Sequence, residues 1–476
     1  MAPASDIPLT ASWVAAAMRG SIEAGDRERE LTGVSIDTRT LLPGELFVAI
    51  RGERFDGADF AGPAIDAGAG GIVVPRGWAA AAGGALKASG RRPPIVIEVG
   101  DTTAALQALA HAVRRESGTK VVAITGSAGK TTTKEVTFEL LSSRYRVIRN
   151  KGNFNNHIGL PLSLIELRRR PEIAVVELGM NHAGEIATLV RVAEPDVRVW
   201  TNVGEAHLEF FASVDAIAEA KAEIFDGSGA STLLVANADD HRIVARLPRF
   251  GGRVVTFGIE HDADVRATGV VDRGIDGTSA RVTTPVGHAD LTTPLVGRGN
   301  LANVLAATAV ALEFDVPLTA IVERAARLAP APHRGEVFRL SSGVTVIDDS
   351  YNANPPAMLR AIELLAAAGA SRRIAVLGEM LELGDRAMRL HEEVGRAAAR
   401  AGIDRLVTVG GAPAAAMAEA AVAAGLARAD VRHCATSDDA ATAAVALAEV
   451  GDVVLVKGSR GVRTERVVER LRAERA

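Results

Sequence analysis

The chain has 476 residues, too many for one compact core, so two or three domains are expected. It is 48% hydrophobic and 24% charged, which excludes a disordered chain, and a formal net charge of −4 gives no bulk reason to bind nucleic acid. A single cysteine, Cys434, excludes an intramolecular disulfide and a cysteine cluster for a metal, and reads as a small buried thiol in a reducing compartment.

The opening MAPASDIPLT lacks a basic region followed by an apolar run, and no apolar stretch approaches the ~20 residues that span a bilayer. A cytoplasmic protein without membrane insertion is expected, and a monomer. In chain order, the first hundred residues hold short strands and many glycines. Leu46 to Ile50 follows a Pro43-Gly44 turn, and Ile95 to Val99 follows Pro93-Pro94. A helical run from Thr102 to Arg115 leads into VVAITGSAGKTTTKE, Val121 to Glu135, which reads as buried strand, glycine turn and helix start. Near-continuous apolar runs at 172–178, 196–203 and 231–237 have the composition of buried parallel strands. Arg253 to Val296, polar with short alternating strands, predicts an antiparallel insertion. Helices are predicted from Asn300 to Phe314 and on to about Leu328, and APAPHRG (329–335) reads as a linker. Beyond it, strands at 344–351, 372–379, 404–411 and 452–459 alternate with helices, the pattern of a doubly wound sheet. The expected fold is α/β in three domains. These are a small N-terminal α/β domain over 1–100, a central P-loop-type parallel sheet with the antiparallel insertion over 101–331, and a C-terminal Rossmann-like domain over 332–476.

The glycine turn carries the chemistry. A helix start presents N–H groups without intrahelical acceptors and a partial positive charge, so a polyphosphate can sit there. Gly126 and Gly129 admit close approach, Lys130 reaches terminal phosphates, and Thr131 can offer a hydroxyl to magnesium. The loop is the shorter G-x-x-G-K-T, with Ile124 where the first glycine of the longer motif would stand. Glu177 ends a parallel strand and can hold magnesium; an exposed strand-end acid is the plain alternative. His207, in TNVGEAHLEFF, is either a metal ligand or a structural histidine. Lys221 is either an exposed lysine paired with Glu219 or Glu223, or a buried neutral amine able to react with carbon dioxide and give a metal-binding carbamate. The asparagine-rich NKGNFNNHIGLP (150–161) suits a polar ligand or is a turn-rich connection. Arg334, on the linker beside His333, could swing onto a triphosphate. Asp348 and Asp349 end a strand where a carboxylate accepts ribose hydroxyls, or are a helix cap and a surface charge.

Ten stretches from Ser35 to Glu465 resemble the Mur ligases, ATP-dependent amide-forming enzymes of peptidoglycan synthesis, and within them the MurF type. They are SIDTRTLLPGELFVAIRGERFDG, AITGSAGKTTTKE, NKGNFNNHIGLPLSLI, VELGMNHAGEI, TNVGEAHLEFF, AKAEIF, GRGNLANVLAA, IDDSYNANPPAM, VLGEMLELG and VKGSRGVRTE. The resemblance implies ligation of D-alanyl-D-alanine to UDP-MurNAc-tripeptide through an acyl phosphate. It implies that Gly126, Ser127, Ala128, Gly129, Lys130, Thr131 and Thr132 bind ATP phosphates. Thr131 and Glu177 would hold one Mg2+, and His207 with a carbamylated Lys221 a second. Asn300 would lie near the adenine, and Arg334 with Asp348 or Asp349 would complete the nucleotide site. Ser35, Asp37, Arg39, Asp56 and Gly57 would hold the uridine diphosphate end, and Asn153, Asn155 and Asn156 the muramoyl peptide. Lys130, Glu177, His207, Lys221 and Arg334 would carry the catalysis. Ala128 stands where many relatives have asparagine, and its backbone N–H is expected to serve without a side chain. The alternatives are a Mur-type ligase with another amino acid acceptor and a non-catalytic P-loop nucleotide switch.

Overall fold

Alternate residues of the apolar runs point to opposite faces of a sheet, and helices cover both. A computed structural model describes residues 5–81, 93–205 and 209–475. The chain divides into two compact units. One comprises Met1–Ile124, Tyr145–Arg198 and Glu223–Leu233; the other comprises Thr125–Arg144, Val199–Ala222 and Leu234–Ala476.

In the first unit, β1 (Ser21–Ala24), β2 (Val34–Ser35), β3 (Leu46–Val48), β4 (Gly71–Pro75) and β5 (Ile95–Val99) form a sheet in the order β1-β5-β4-β3-β2. β2 to β5 are parallel and β1 is antiparallel to β5. Asp101 then caps helix α1 (Thr102–Ser117) by accepting the Ala104 N–H at 2.8 Å, and Gly118 in the left-handed region stops it. Between those signals Ala105, Leu106, Leu109, Ala110 and Val113 form a buried stripe at helical spacing.

The central sheet holds β6 (Lys120–Thr125), β7 (Val147–Arg149), β8 (Ile173–Glu177), β9 (Val197–Trp200), β10 (Leu233–Asn237), β11 (Arg253–Gly258), β12 (Val265–Asp272), β13 (Thr278–Thr284) and β14 (Gly287–Thr293). Its order is β14-β13-β12-β11-β10-β9-β6-β8-β7. β8 runs parallel to both β6 and β7. β12, β13 and β14 are antiparallel neighbours, as expected for the insertion. β11, placed in that insertion by its sequence, instead pairs in parallel with β12 through Phe257 and Val265. Helices α2 (Lys130–Leu141), α3 (Gly159–Ile165), α4 (Val214–Ala222) and α5 (Arg298–Glu313) belong to this part of the chain.

After the linker, β15 (Glu336–Arg339), β16 (Thr345–Asp349), β17 (Arg373–Gly378), β18 (Arg405–Val409), β19 (Val431–Cys434) and β20 (Val453–Lys457) form a sheet in the order β15-β16-β20-β17-β18-β19. All are parallel except β15. Ile347, Ala375, Leu377, Leu406 and Leu455 face helices α6 (Pro355–Ala367), α7 (Ala387–Arg400) and α8 (Ala412–Ala423). Val346, Ile374, Val376, Val407 and Val454 face α9 (Ser437–Leu447) and α10 (Glu465–Arg475), beside the buried Cys434. The sheet is doubly wound. Its two outer strands, β15 (EVFR) and β19 (VRHC), carry charge on short half-buried segments, as edge strands do, and so gave no apolar run to read. No helix among the described residues is long and apolar enough to cross a membrane.

Candidate active site

β6 ends at Thr125 and α2 begins at Lys130, so the turn between them is Gly126 to Gly129. Gly129 has φ +81°, and a Cβ there would overlap Asn303 Oδ1; a Cβ on Gly126 would overlap Thr201 Oγ1. Only glycine fits either place. Gly129 is also the N-cap of α2, so no side chain caps this 12-residue helix, and its first turn offers N–H groups and a positive dipole end to an anion. Lys130 Nζ donates to the Gly126 carbonyl at 2.7 Å, which holds the ammonium beside the loop. Thr131 is half-buried and Thr132 buried. Ser127 Oγ donates to the Gly204 carbonyl at 3.1 Å and accepts from the Gly204 N–H at 2.9 Å. The Ala128 N–H, expected to serve phosphate, here donates to Asn202 Oδ1 at 2.9 Å.

Lys221 lies on α4 and is 2% exposed, so the surface-lysine reading does not hold. Its two proposed partners are engaged elsewhere. Glu219 pairs with Arg246 and Arg249, and Glu223 accepts the Gly184 and Ala187 N–H groups. Burial pushes the Lys221 amine well below the ordinary lysine range, and the charge of Lys130 pushes it further. Glu177 is also buried, at 1% exposure, at the register position of Ile124, two residues before Gly126. Its N–H donates to Asn150 Oδ1 at 3.1 Å and its Oε2 accepts from Asn155 Nδ2 at 3.4 Å. His207 lies outside the described residues.

Asn300 and Asn303 stand one turn apart on α5. Asn303 Nδ2 donates to Asn300 Oδ1 at 3.2 Å, and Thr133 Oγ donates to Asn303 Oδ1 at 3.2 Å, linking this helix to α2. In the C-terminal part, Asp348 is 1% exposed. Its Oδ2 meets His333 Nδ1 at 2.8 Å, and its Oδ1 accepts the Ser350 hydroxyl at 2.5 Å. Asp349 pairs with the buried Lys457 at 2.6 Å, opposite it in the β16–β20 register. The pair is thus neither a helix cap nor a surface charge. The Arg334 guanidinium stacks 4.0 Å over the Tyr351 ring.

At the N-terminal end, Arg39 forks Asp37 with Nε at 2.9 Å and Nη2 at 2.6 Å, and those hydrogen bonds lower the carboxyl to about 2. Ser35 Oγ accepts the Asp37 N–H at 3.2 Å. Asp56 caps the short turn Gly57–Phe60 through the Ala58 N–H. Asn156 Oδ1 accepts the Ile158 and Gly159 N–H groups at the start of α3, and Asn153 is exposed. Sequence reading missed Asn150, Asn202, Asn303 and Lys457. All four stood inside quoted stretches, and the i, i+3 spacing of Asn300 and Asn303 was the available signal.

A loop of this kind feeding a helix start, with Lys130 close enough to a buried Lys221 to depress its amine further, defines a nucleotide-dependent enzyme site. Three family descriptions match the chain: Mur ligase family, catalytic domain, over residues 30–114; Mur ligase middle domain over 124–311; and Mur ligase, glutamate ligase domain, over 333–460. The UDP-N-acetylmuramoyl-tripeptide–D-alanyl-D-alanine ligase of Escherichia coli (strain K12) is 38% identical over 406 residues, covering 85% of this chain and 86% of that protein. The Bacillus subtilis ligase of the same name is 35% identical and covers 98% of each. Among solved structures, MurF from Acinetobacter baumannii matches with a TM-score of 0.86 at 29% identity, covering 99% of this chain and 100% of that one. MurF ligase from Thermotoga maritima in complex with ADP matches with a TM-score of 0.79 at 30% identity, covering 93% and 97%. The chain belongs to the Mur ligase family.

Proposed function

We propose that this protein joins D-alanyl-D-alanine to UDP-N-acetylmuramoyl-tripeptide at the expense of ATP, giving the pentapeptide, ADP and phosphate. The observation that carries the reading is the glycine-capped start of α2 with Lys130 beside it, in a chain that shares 38% identity with an enzyme of that name. Residues 1–100 hold the uridine diphosphate end in this reading, 101–331 the ATP, and 332–476 the acceptor and part of the nucleotide site. The enzyme works in the cytoplasm as a monomer, on precursors of the cell wall.

The tripeptide carboxylate attacks the γ-phosphorus of ATP, and the bond to the departing ADP oxygen breaks. N–H groups at the start of α2, from Gly129 to Thr132, orient the phosphates while Asn202 holds those of Ser127 and Ala128, and Lys130 offsets charge on the transferred phosphoryl group. The free amine of D-alanyl-D-alanine attacks the resulting acyl phosphate at its carbonyl carbon. Phosphate leaves, the nitrogen gives up its proton, and an amide remains. Arg334 and Asp348 or Asp349 hold the nucleotide, with Asn300 near its base.

The donors suit Mg2+. A Thr131 hydroxyl and the Glu177 carboxylate are hard oxygen ligands, and burial that disfavours the ammonium form of Lys221 suits carbamate formation. His207 completes the set we assign to two ions. Bound Mg2+ would neutralise charge on the phosphate oxygens.

Purified protein given ATP, Mg2+, UDP-MurNAc-tripeptide and D-alanyl-D-alanine is expected to release phosphate and yield the pentapeptide by mass spectrometry. Phosphate release with a single amino acid but not with the dipeptide would replace this acceptor. No release with any acceptor would leave a nucleotide switch.

A further inference from the structure

Asn202 follows β9 by two residues and stands five residues before His207. Its carboxamide holds one residue of the phosphate loop at both backbone polar atoms. Oδ1 accepts the Ala128 N–H at 2.9 Å, and Nδ2 donates to the Ala128 carbonyl at 3.0 Å. The Asn202 carbonyl accepts the Ser127 N–H at 3.0 Å, and Thr201 Oγ adds a second donor to the Ala128 carbonyl at 2.8 Å. The gripping segment is itself anchored. Asn237 Nδ2 donates to the Thr201 carbonyl at 2.8 Å, and Asp240 Oδ2 accepts the Val203 N–H at 2.6 Å.

We infer that Asn202 is a positioning residue for ATP, one that presets the loop for the triphosphate without contacting the reacting atoms. A loop with two glycines has many conformations to lose on binding. Fixing Ala128 at donor and acceptor removes that freedom before nucleotide arrives, so less affinity is lost to ordering. With residue 128 held, Gly129 sets the direction in which α2 presents its N–H groups. The inference rests on the ATP-dependent reading given above.

The test compares Asn202→Ala, which loses both side-chain bonds, with Asn202→Asp, which keeps an acceptor for the Ala128 N–H but loses the donor and adds negative charge near the phosphates. A fluorescent ATP analogue reports nucleotide affinity, steady-state kinetics report KM for each substrate and kcat, and calorimetry reports unfolding. The expected result is nucleotide affinity weakened by about tenfold in Asn202→Ala, the scale of two neutral hydrogen bonds, and further in Asn202→Asp. KM for the other two substrates should stay within about twofold, since the clamp touches only the phosphate loop. Should Asn202→Ala fail to fold, Thr201→Val removes one donor to the same carbonyl and should show a smaller loss of the same kind. Unchanged nucleotide affinity in the variants, or equal losses for all three substrates with a lowered unfolding temperature, overturns the assignment. The wild-type arm separates the two ideas: wild-type protein that binds no nucleotide overturns the ligase reading itself.

Discussion

A buried amine beside another cation gives up its proton more readily than a free one, and that has a measurable cost. In the unfolded chain Lys221 titrates near the ordinary lysine value of 10.5, and in the folded chain well below it. Between those values the unfolded state binds the additional proton, so stability rises with pH across the window. The cost of burying the lysine is full below the folded value and gone above 10.5. Lys221→Met is therefore expected to raise the unfolding temperature of the nucleotide-free protein at neutral pH, a gain that shrinks as pH climbs towards 10.5, while ligation is lost. Lys221→Ala should also be inactive, with partial rescue by short carboxylates; an active variant would remove this residue from the metal set. Lys130 could be placed beside the loop from sequence because its partner, the Gly126 carbonyl, is only four residues away. Asn202 could not, because its partner Ala128 lies 74 residues away and an isolated asparagine after a strand has no distinguishing pattern. Lys457 was hidden for the same reason, since its ion pair with Asp349 spans 108 residues.

Turns and helix starts are where the sequence spoke most clearly about elements. Gly129 combines a positive φ with a side-chain neighbour that leaves no room for a methyl group. Gly129→Ala is expected to lower stability by about 1–3 kcal/mol, from backbone strain and displacement of Asn303 together. Nucleotide affinity should fall as well, because the displaced residue also binds Thr133 on α2. Urea unfolding and nucleotide titration would read the two effects; a variant equal to wild type in both would mean the turn is free to rearrange. Buried strands were legible because both faces are covered, so most of their residues are apolar. β15, β19 and the parallel pairing of β11 were not. Edge strands keep charge on their open side, and two residue pairs between β11 and β12 decide a strand direction that periodicity does not encode.

At the scale of the molecule, composition and alternation gave α/β architecture but not the order of strands. β8 lies between β6 and β7, so the chain comes back to pair between two strands it has already laid down, and no local pattern announces that return. The C-terminal sheet repeats the device, with its last strand, β20, inserted between β16 and β17. Such long-range pairings bear on how folding is followed. Cys434 ends β19, 4% exposed, and burial pushes its thiol up from the usual value. Shielding and a suppressed thiolate both make it a poor nucleophile until that edge opens. Since no second cysteine competes for reagent, maleimide uptake becomes a stopwatch for the unzipping of one known place. Labelling of native protein should be slow and should quicken with urea in step with loss of structure. Capture as fast as that of a small free thiol would reveal an outer strand that detaches while the rest of its layer stays assembled.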